Sequence, residues 1–329
     1  MADTVHTKVL IIGSGPAGYT AAIYAARANL EPVQVLGLQP GGQLTITTDV
    51  ENYPGYADVI QGPWLMEQMK AQAEAVGAKT VQDLITDVNF DSFPYTATAD
   101  SGTVYKADTI IIATGAKARW LGLESEESFR NLGVSACATC DGFFFRGKKV
   151  AVVGGGNSAV EEALFLANLC EKVTLIHRRD ELRAEKIMQE RLFAHEKIEI
   201  LWDHVLTEVL GNMPGESDTP GVHSIQVENV KTKDQQTLEL DGVFIAIGHD
   251  PATELFQGKL DMDPEGYLLT APDSTATSMA GVYAAGDVKD KTYRQAVTAA
   301  GMGCMAALEA DKFLGQLEST QHNEAEAAE

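Results

Sequence analysis

The sequence predicts an α/β fold made of two parallel-sheet domains, one inserted into the other. Three observations lead there. A short apolar strand near the start runs into a glycine-rich loop and then a helix, the same pattern recurs at mid-chain, and two later apolar strands end on glycine where the chain would cross between domains. The length of 329 residues agrees, since a domain takes about 150 residues.

The first unit opens with Lys8-Val9-Leu10-Ile11-Ile12, an apolar run of the kind a strand buried in a parallel sheet uses. It enters Gly13-Ser14-Gly15-Pro16-Ala17-Gly18, and an Ala-rich helical pattern follows from Ala21 to Ala28. Strand, glycine loop and helix are the context in which a dinucleotide fingerprint carries meaning; outside it the same residues are an ordinary turn. Gly13 serves the tight turn, Gly15 leaves room for a pyrophosphate, and Gly18 lets helix and strand pack closely. The helix N-terminus then faces phosphate with its unpaired N–H groups. At mid-chain Lys149 to Val153 leads into Gly154-Gly155-Gly156-Asn157-Ser158-Ala159, then a helix from Val160 to Leu169 and a strand from Lys172 to Ile176. Ala159 stands at the third glycine position, which the fingerprint allows. Two such loops make the fold two Rossmann-like dinucleotide-binding domains.

The end of the second strand in each unit separates the ligands. At mid-chain it carries His177-Arg178-Arg179, with Arg183 close behind. A ribose 2′-hydroxyl wants a carboxylate at this point, whereas a 2′-phosphate wants the forked donors of arginine. The mid-chain unit therefore reads as an NADPH site. In the first unit the strand from Val33 to Leu36 is followed by Gly37-Leu38-Gln39, with no acid. Near the end of the chain a strand from Gly281 to Ala285 finishes in Gly286-Asp287, ahead of a helix expected from Arg294 to Phe313. An Asp at such a strand end suits a sugar hydroxyl or a ribityl chain. Strands from Thr109 to Ala113 and from Val243 to Ile247 precede Thr114-Gly115 and Gly248, and mark the crossings. The expected organisation is 1–116 and 248–329 as one split dinucleotide domain and 117–247 as the inserted NADPH domain. The polar, acidic tail from Gln321 to Glu329 is expected to be disordered.

The net charge of −22 argues against nucleic acid, because phosphate backbones need clustered Lys and Arg. No stretch approaches the roughly 20 apolar residues of a membrane helix, and the N-terminus lacks the pattern of a signal peptide. Cys137-Ala138-Thr139-Cys140-Asp141 places two thiols where they can close a small disulfide ring, a spacing that is redox-active in cytosolic proteins. A zinc site would need two more ligands, and no second C-x-x-C or close His pair supplies them. Asp141 can shuttle the proton that a dithiol gains or loses, or else cap the turn at Gly142. Cys170 and Cys304 stand alone and read as small buried apolar residues. Together these parts form an electron path. NADPH delivers hydride, a disulfide is a poor direct acceptor, and a flavin is the natural intermediary. The first glycine loop would hold that flavin as FAD.

The sequence thus resembles the low-molecular-weight, bacterial-type thioredoxin reductases of the pyridine nucleotide-disulfide oxidoreductase family, from Gly13 to about Leu314. The likeness runs through Gly41-Gly42-Gln43-Leu44, Glu51-Asn52-Tyr53-Pro54-Gly55, Cys140-Asp141-Gly142-Phe143-Phe144, His177-Arg178-Arg179-Asp180, Ala285-Gly286-Asp287-Val288 and Arg294-Gln295-Ala296. The resemblance implies FAD at Gly13, Gly15, Gly18, Gly42, Gln43, Asn52, Asp287, Arg294, Gln295 and Ala296. It implies NADPH at Gly156, Asn157, Ser158, His177, Arg178, Arg179 and Arg183. It makes Cys140 the cysteine nearest the flavin, Cys137 its partner and Asp141 the proton-transfer acid. It further implies a cytoplasmic homodimer that reduces thioredoxin, with a nucleotide domain that rotates. The chain departs from the family at Gln39, where an acid is common, and at Leu132, where a basic residue is common; Arg130 lies two residues from the latter. A related reading is the flavoprotein subunit of an alkyl hydroperoxide reductase, whose extra N-terminal redox domains are not expected ahead of a strand that starts at Lys8. Flavodoxin or ferredoxin reductases of this fold lack the C-x-x-C pair. A non-catalytic nucleotide-dependent redox sensor would have no need of one.

Overall fold

The first strand, β1 (Thr4–Ile12), lies in the middle of a seven-stranded sheet. The structure, a computed structural model, describes residues 3–46 and 49–328, with side chains as far as residue 320. It divides into two compact units, Met1–Lys117 with Asp250–Glu329, and Ala118–His249.

In the first unit β1 pairs in parallel with β2 (Val33–Val35), which pairs in turn with β3 (Lys79–Val81). Between them run α1 (Pro16–Arg27) and α2 (Gly62–Ala75), each with proline in its first turn, where no amide donor is missed. A hairpin of β4 (Ile85–Asn89) and β5 (Tyr95–Ala99) leads to the long β6 (Val104–Ile112). One edge of β6 pairs along its length with β1. The other edge is shared, antiparallel with β5 over Val104–Ala107 and parallel over Ile110–Ile112 with the returning strand Val282–Ala284. The end of the chain is thereby built into the sheet that its beginning started. Leu10, Ile11 and Ile110 to Ile112 are fully buried, as apolar runs in a two-sided parallel sheet must be; each contributes about 1.5–3 kcal/mol of burial.

The second unit holds a five-stranded parallel sheet. Its strands are β7 (Val134–Ser135), β8 (Lys149–Gly154), β9 (Lys172–His177), β10 (Ile198–Trp202) and β14 (Gly242–Ala246), in the order β7-β14-β8-β9-β10. A short turn of helix, α3 (Ala138–Asp141), follows β7, and α4 (Asn157–Ala167) follows β8. A three-stranded antiparallel sheet of β11 (His204–Asn212), β12 (Gly221–Asn229) and β13 (Gln235–Glu239) lies between β10 and β14 in sequence. One face is buried through Leu206, Val209, Val222, Ile225 and Val227, and register shifts at Leu206/Glu208 and Leu210/Gly211 break the apolar alternation along β11. Cys170 is buried in the apolar core of this unit, and burial pushes its thiol up to about 11.

After Val282–Ala284, which is β15, the chain ends in α5 (Ala296–Ala328). Two expectations are corrected here. The helix begins at Ala296 rather than Arg294, because Arg294 adopts the left-handed conformation with φ 49°. The tail expected to be disordered is helical through Ala328: Gln, Glu and Ala are strong helix formers, and the tail extends a helix already nucleated by packing. Cys304, on this helix, is half-buried and hydrogen-bonds the exposed Tyr24, so it is not a plain core residue.

Candidate functional site

Three clusters of residues carry chemistry, and each is positioned by local structure. The first lies at the end of β1. A Cβ on Gly13 would come within 2.2 Å of the Ala113 carbonyl oxygen, and one on Gly18 within 2.3 Å of the Gly13 carbonyl oxygen, whereas at Gly15 nothing lies within 4 Å. Two glycines are thus demanded by backbone packing and the middle one borders open space, the arrangement a pyrophosphate needs. The α1 N-cap is Gly15 and no side chain caps it, so its first N–H groups remain free for an anion. Gly303 allows α5 to press its backbone against Ala17, where a Cβ would sit 2.1 Å from the carbonyl oxygen.

Ser14, Gln34 and Gln39 hold this loop, and beyond their neighbourhood nothing in the residue pattern marks them. The Ser14 hydroxyl donates to Leu36 O at 2.6 Å and accepts from Gly41 N at 3.0 Å. Gln39 donates to Gly42 O and to the Thr45 hydroxyl, so the residue that departs from the family pattern fastens the turn at Gly42 and Gln43. That turn lies against the loop, since a Cβ on Gly42 would be 3.5 Å from the Cα of Gly15.

The returning strand brings Asp287 to the same unit. Burial, reinforced by nearby Asp290 and opposed by Arg294, pushes the Asp287 carboxyl up to about 7. Among the described residues, no group donates a hydrogen bond to it. A half-buried carboxylate without a donor fits a ligand hydroxyl. The Asp290 carboxylate accepts from Thr292 N at 3.0 Å, Tyr293 N at 2.9 Å and Arg294 N at 3.2 Å, which orders the segment before Gln295 and Ala296. Asn52 Nδ2 reaches Gln295 Oε1 at 3.4 Å, bringing together two residues far apart in sequence. Asp290 is a residue that sequence reasoning missed; only its three-bond cradle reveals it.

In the second unit the glycine loop follows the same logic. A Cβ on Gly154 would meet Ala246 O at 2.4 Å, Gly156 borders open space, and the Gly156 N-cap of α4 has no side-chain cap. Asn157 Oδ1 accepts from Glu185 N at 2.8 Å, and Ser158 follows it in the first turn of α4. Arg183 N donates to Gly155 O at 2.8 Å, so the arginine segment is stitched to the loop. Arg178, Arg179 and Arg183 are exposed, and among the described residues none has an ion pair. His177 differs from these. Only 5% exposed, it packs its ring on Gly155 and places Nε2 3.0 Å from Glu181 O. Burial lowers its pKa, with Arg179 and Arg183 contributing. It braces the loop rather than reaching outward with the arginines.

The third cluster is the cysteine turn. Cys137 and Cys140 form a disulfide, Cys137 half-buried and Cys140 exposed. The turn is anchored by buried Ala138 and by Phe145, whose ring meets Phe244 edge-on at 5.3 Å. Gly142 lets it lie on α4, where a Cβ would be 2.9 Å from Leu166. Cys140 N donates to Cys137 Sγ at 3.2 Å, and Cys137 N donates to the Ser135 hydroxyl at 3.0 Å. The Asp141 carboxyl is raised by burial, an effect partly opposed by a hydrogen bond to Ser135. It makes no capping bond. Phe143 and Phe144 are 53% and 39% exposed; they are not core residues. The Arg130 guanidinium lies 4.2 Å over Trp120 and near Glu127, so it is already engaged. Among the described residues no group of His, Cys, Asp or Glu could hold a metal ion.

Two nucleotide loops and a disulfide on one chain define a class: a pyridine-nucleotide oxidoreductase that works through a redox-active disulfide. Residues 7–303 match the model of the pyridine nucleotide-disulphide oxidoreductases. The chain belongs to that family. It is 59% identical to a thioredoxin reductase of Rickettsia bellii, over 95% of this chain and 99% of the relative. It is 52% identical to one of Vibrio cholerae, over 95% and 98%. Among solved structures, a thioredoxin reductase from Giardia duodenalis superposes with a TM-score of 0.90 at 40% identity, covering 94% of this chain and 99% of that one. Thioredoxin reductases of this family use FAD and NADPH.

Proposed function

We propose that the chain is an NADPH-dependent thioredoxin-disulfide reductase that draws electrons from NADPH through FAD to the Cys137–Cys140 disulfide and passes them to oxidised thioredoxin. The observation that carries this reading is the disulfide turn standing on the helix that leaves the second glycine loop, in a chain whose first loop has the same open construction. FAD, when bound, supplies two-electron hydride acceptance and donation to sulfur.

The residues divide as follows. Gly13, Gly15, Gly18, Gly42 and Gln43 receive the flavin nucleotide's phosphates and adenosine. Asp287 would hold a sugar or ribityl hydroxyl of FAD, and Asn52, Arg294, Gln295 and Ala296 would complete the site beside it. Gly156, Asn157 and Ser158 receive the NADPH pyrophosphate. Arg178, Arg179 and Arg183 take the 2′-phosphate, and His177 holds the loop beneath them. Reduction of the disulfide breaks its S–S bond with two electrons and needs two protons. The hydride that leaves NADPH accounts for both electrons and one proton, and solvent supplies the other, which Asp141, kept protonated more readily by burial, would relay to the opening sulfur. The reduced pair then attacks the thioredoxin disulfide through a mixed disulfide, which the second cysteine resolves. Cys140 is assigned to the flavin side and Cys137 to exchange. Exposed Phe143 and Phe144 offer the apolar surface for the protein substrate.

No helix among the described residues is long and apolar enough to cross a membrane. A cytoplasmic homodimer suits this reading: exposed Tyr24 on α1, Trp64 on α2, and Met305 and Leu308 on α5 give the first unit the apolar faces that a second copy would cover. The deciding experiment is NADPH oxidation by the purified FAD-containing protein. Rapid oxidation that depends on added thioredoxin supports the proposal. Oxidation indifferent to thioredoxin, with its disulfide left intact, overturns it.

A further inference from the structure

We propose that Lys231 is a specificity-determining residue for the nicotinamide nucleotide, acting by holding two carboxylates away from the arginines that receive the 2′-phosphate. The inference rests on the reading of the second glycine loop as the NADPH site.

Three segments meet at Arg179. Asp180 follows it directly in sequence. Asp203 N donates to Arg179 O at 3.3 Å, and Val230 N donates to Asp203 O at 2.7 Å, which delivers the next residue, Lys231. Asp203 itself sits in the left-handed region at φ 58°, so this meeting point is held by backbone. Lys231 Nζ lies 3.0 Å from Asp180 Oδ2 and 2.9 Å from Asp203 Oδ2. The hydrogen bonds raise the Lys231 pKa and lower that of Asp180. Two carboxylates therefore stand beside an arginine cluster and neither is paired with it.

The Lys231–Asp180 pair is exposed on both sides and adds little to stability. Their consequence lies in the field above the arginines. A 2′-phosphate carries nearly two negative charges, and each uncompensated carboxylate within about 10 Å opposes it. With Lys231 present, its charge offsets one of the two carboxylates and its ammonium occupies both. Without it, Asp180 is free to turn toward its neighbour Arg179 and compete for the guanidinium fork. NADH, which lacks the 2′-phosphate, is indifferent to either arrangement.

The test titrates the oxidised holoenzyme with NADP⁺ and with NAD⁺ by calorimetry, without turnover. Lys231→Met is expected to weaken NADP⁺ about 3–10-fold at low salt and leave NAD⁺ unchanged. Adding Asp180→Asn and Asp203→Asn to that variant should restore most of the loss, and Lys231→Arg should behave as wild type. The Lys231→Met effect should shrink as ionic strength rises to about 0.3 M. Unchanged NADP⁺ binding in Lys231→Met, or equal loss of both nucleotides, overturns the inference. Failure of the carboxylate variants to restore binding overturns it too, and shows instead that Lys231 touches the nucleotide. A wild-type protein with no preference for NADP⁺ over NAD⁺ is a separate result: it overturns the reading of the arginines first.

Discussion

The side-chain amide of Gln34 donates to the carbonyl of Gly13 at 2.9 Å, while the carbonyl oxygen of the same side chain is buried without a partner. Gln34 is 0% exposed on β2, directly behind the first glycine loop. A buried polar atom left unpaired costs about 1–3 kcal/mol, so this side chain is a poor choice for stability alone. Gln34→Leu removes the orphaned oxygen, adds apolar contact and frees the Gly13 carbonyl. One unpaired oxygen thus replaces another, so the apoprotein should melt close to wild type, while FAD binds about 2–10-fold more weakly. Unchanged FAD affinity together with a lowered melting temperature would make Gln34 a packing residue only.

Asp287 should make the apoprotein's stability fall as pH rises. Its carboxyl is pushed up to about 7 from 3.8, so between those values the native state binds more protons than the unfolded one, and stability declines with pH. The native advantage is present below the lower value and is lost through the upper one. Each tenfold difference in proton affinity between the native and unfolded states is worth about 1.4 kcal/mol. Asp287→Asn should therefore flatten the melting temperature between about pH 4 and 7 and raise it at neutral pH, yet weaken FAD about tenfold or more. Parallel pH profiles for the two apoproteins would contradict the assignment.

Arg178→Ala with Arg179→Ala should discriminate nucleotides. Loss of charge-assisted bonds to a phosphate costs about 1.5–3 kcal/mol. NADP⁺ affinity should drop at least about tenfold and NAD⁺ should change little. Equal losses for both would show that these arginines do not read the 2′-phosphate.

The cysteine turn should separate two half-reactions. Cys137→Ser and Cys140→Ser should keep FAD and still be reduced by NADPH, but fail to reduce thioredoxin. Asp141→Asn should slow reoxidation of the reduced flavin by the Cys137–Cys140 disulfide and spare reduction of the flavin by NADPH. Stopped-flow absorbance resolves the two phases. Full thioredoxin turnover by either single cysteine variant would overturn the mechanism.

Both glycine loops, the arginine cluster and the C-x-x-C pair are legible in the sequence because each depends on short-range geometry. A strand, a turn and a helix start lie within about twenty residues, and the residue types follow from backbone clearance and phosphate chemistry. Apolar runs place strand ends within a few residues of the observed ones, although β1 extends back to Thr4 through alternating residues that the apolar run does not capture. The sheet of β11 to β13 is not legible, since register shifts in β11 interrupt the alternation of its buried face. The residue order says that His177 stands beside the arginines; only packing decides that its ring turns inward onto Gly155. Likewise Gln34 and Lys231 act on residues brought near by hydrogen bonds across the fold, while Asp290 acts through a local turn that closes on its carboxylate. A pattern along the chain records what backbone and ligand demand locally. Which carboxylate is left unpaired, which amide is buried and which charge is held back are set by burial and by long-range pairing, and those exist only once the sheet has closed.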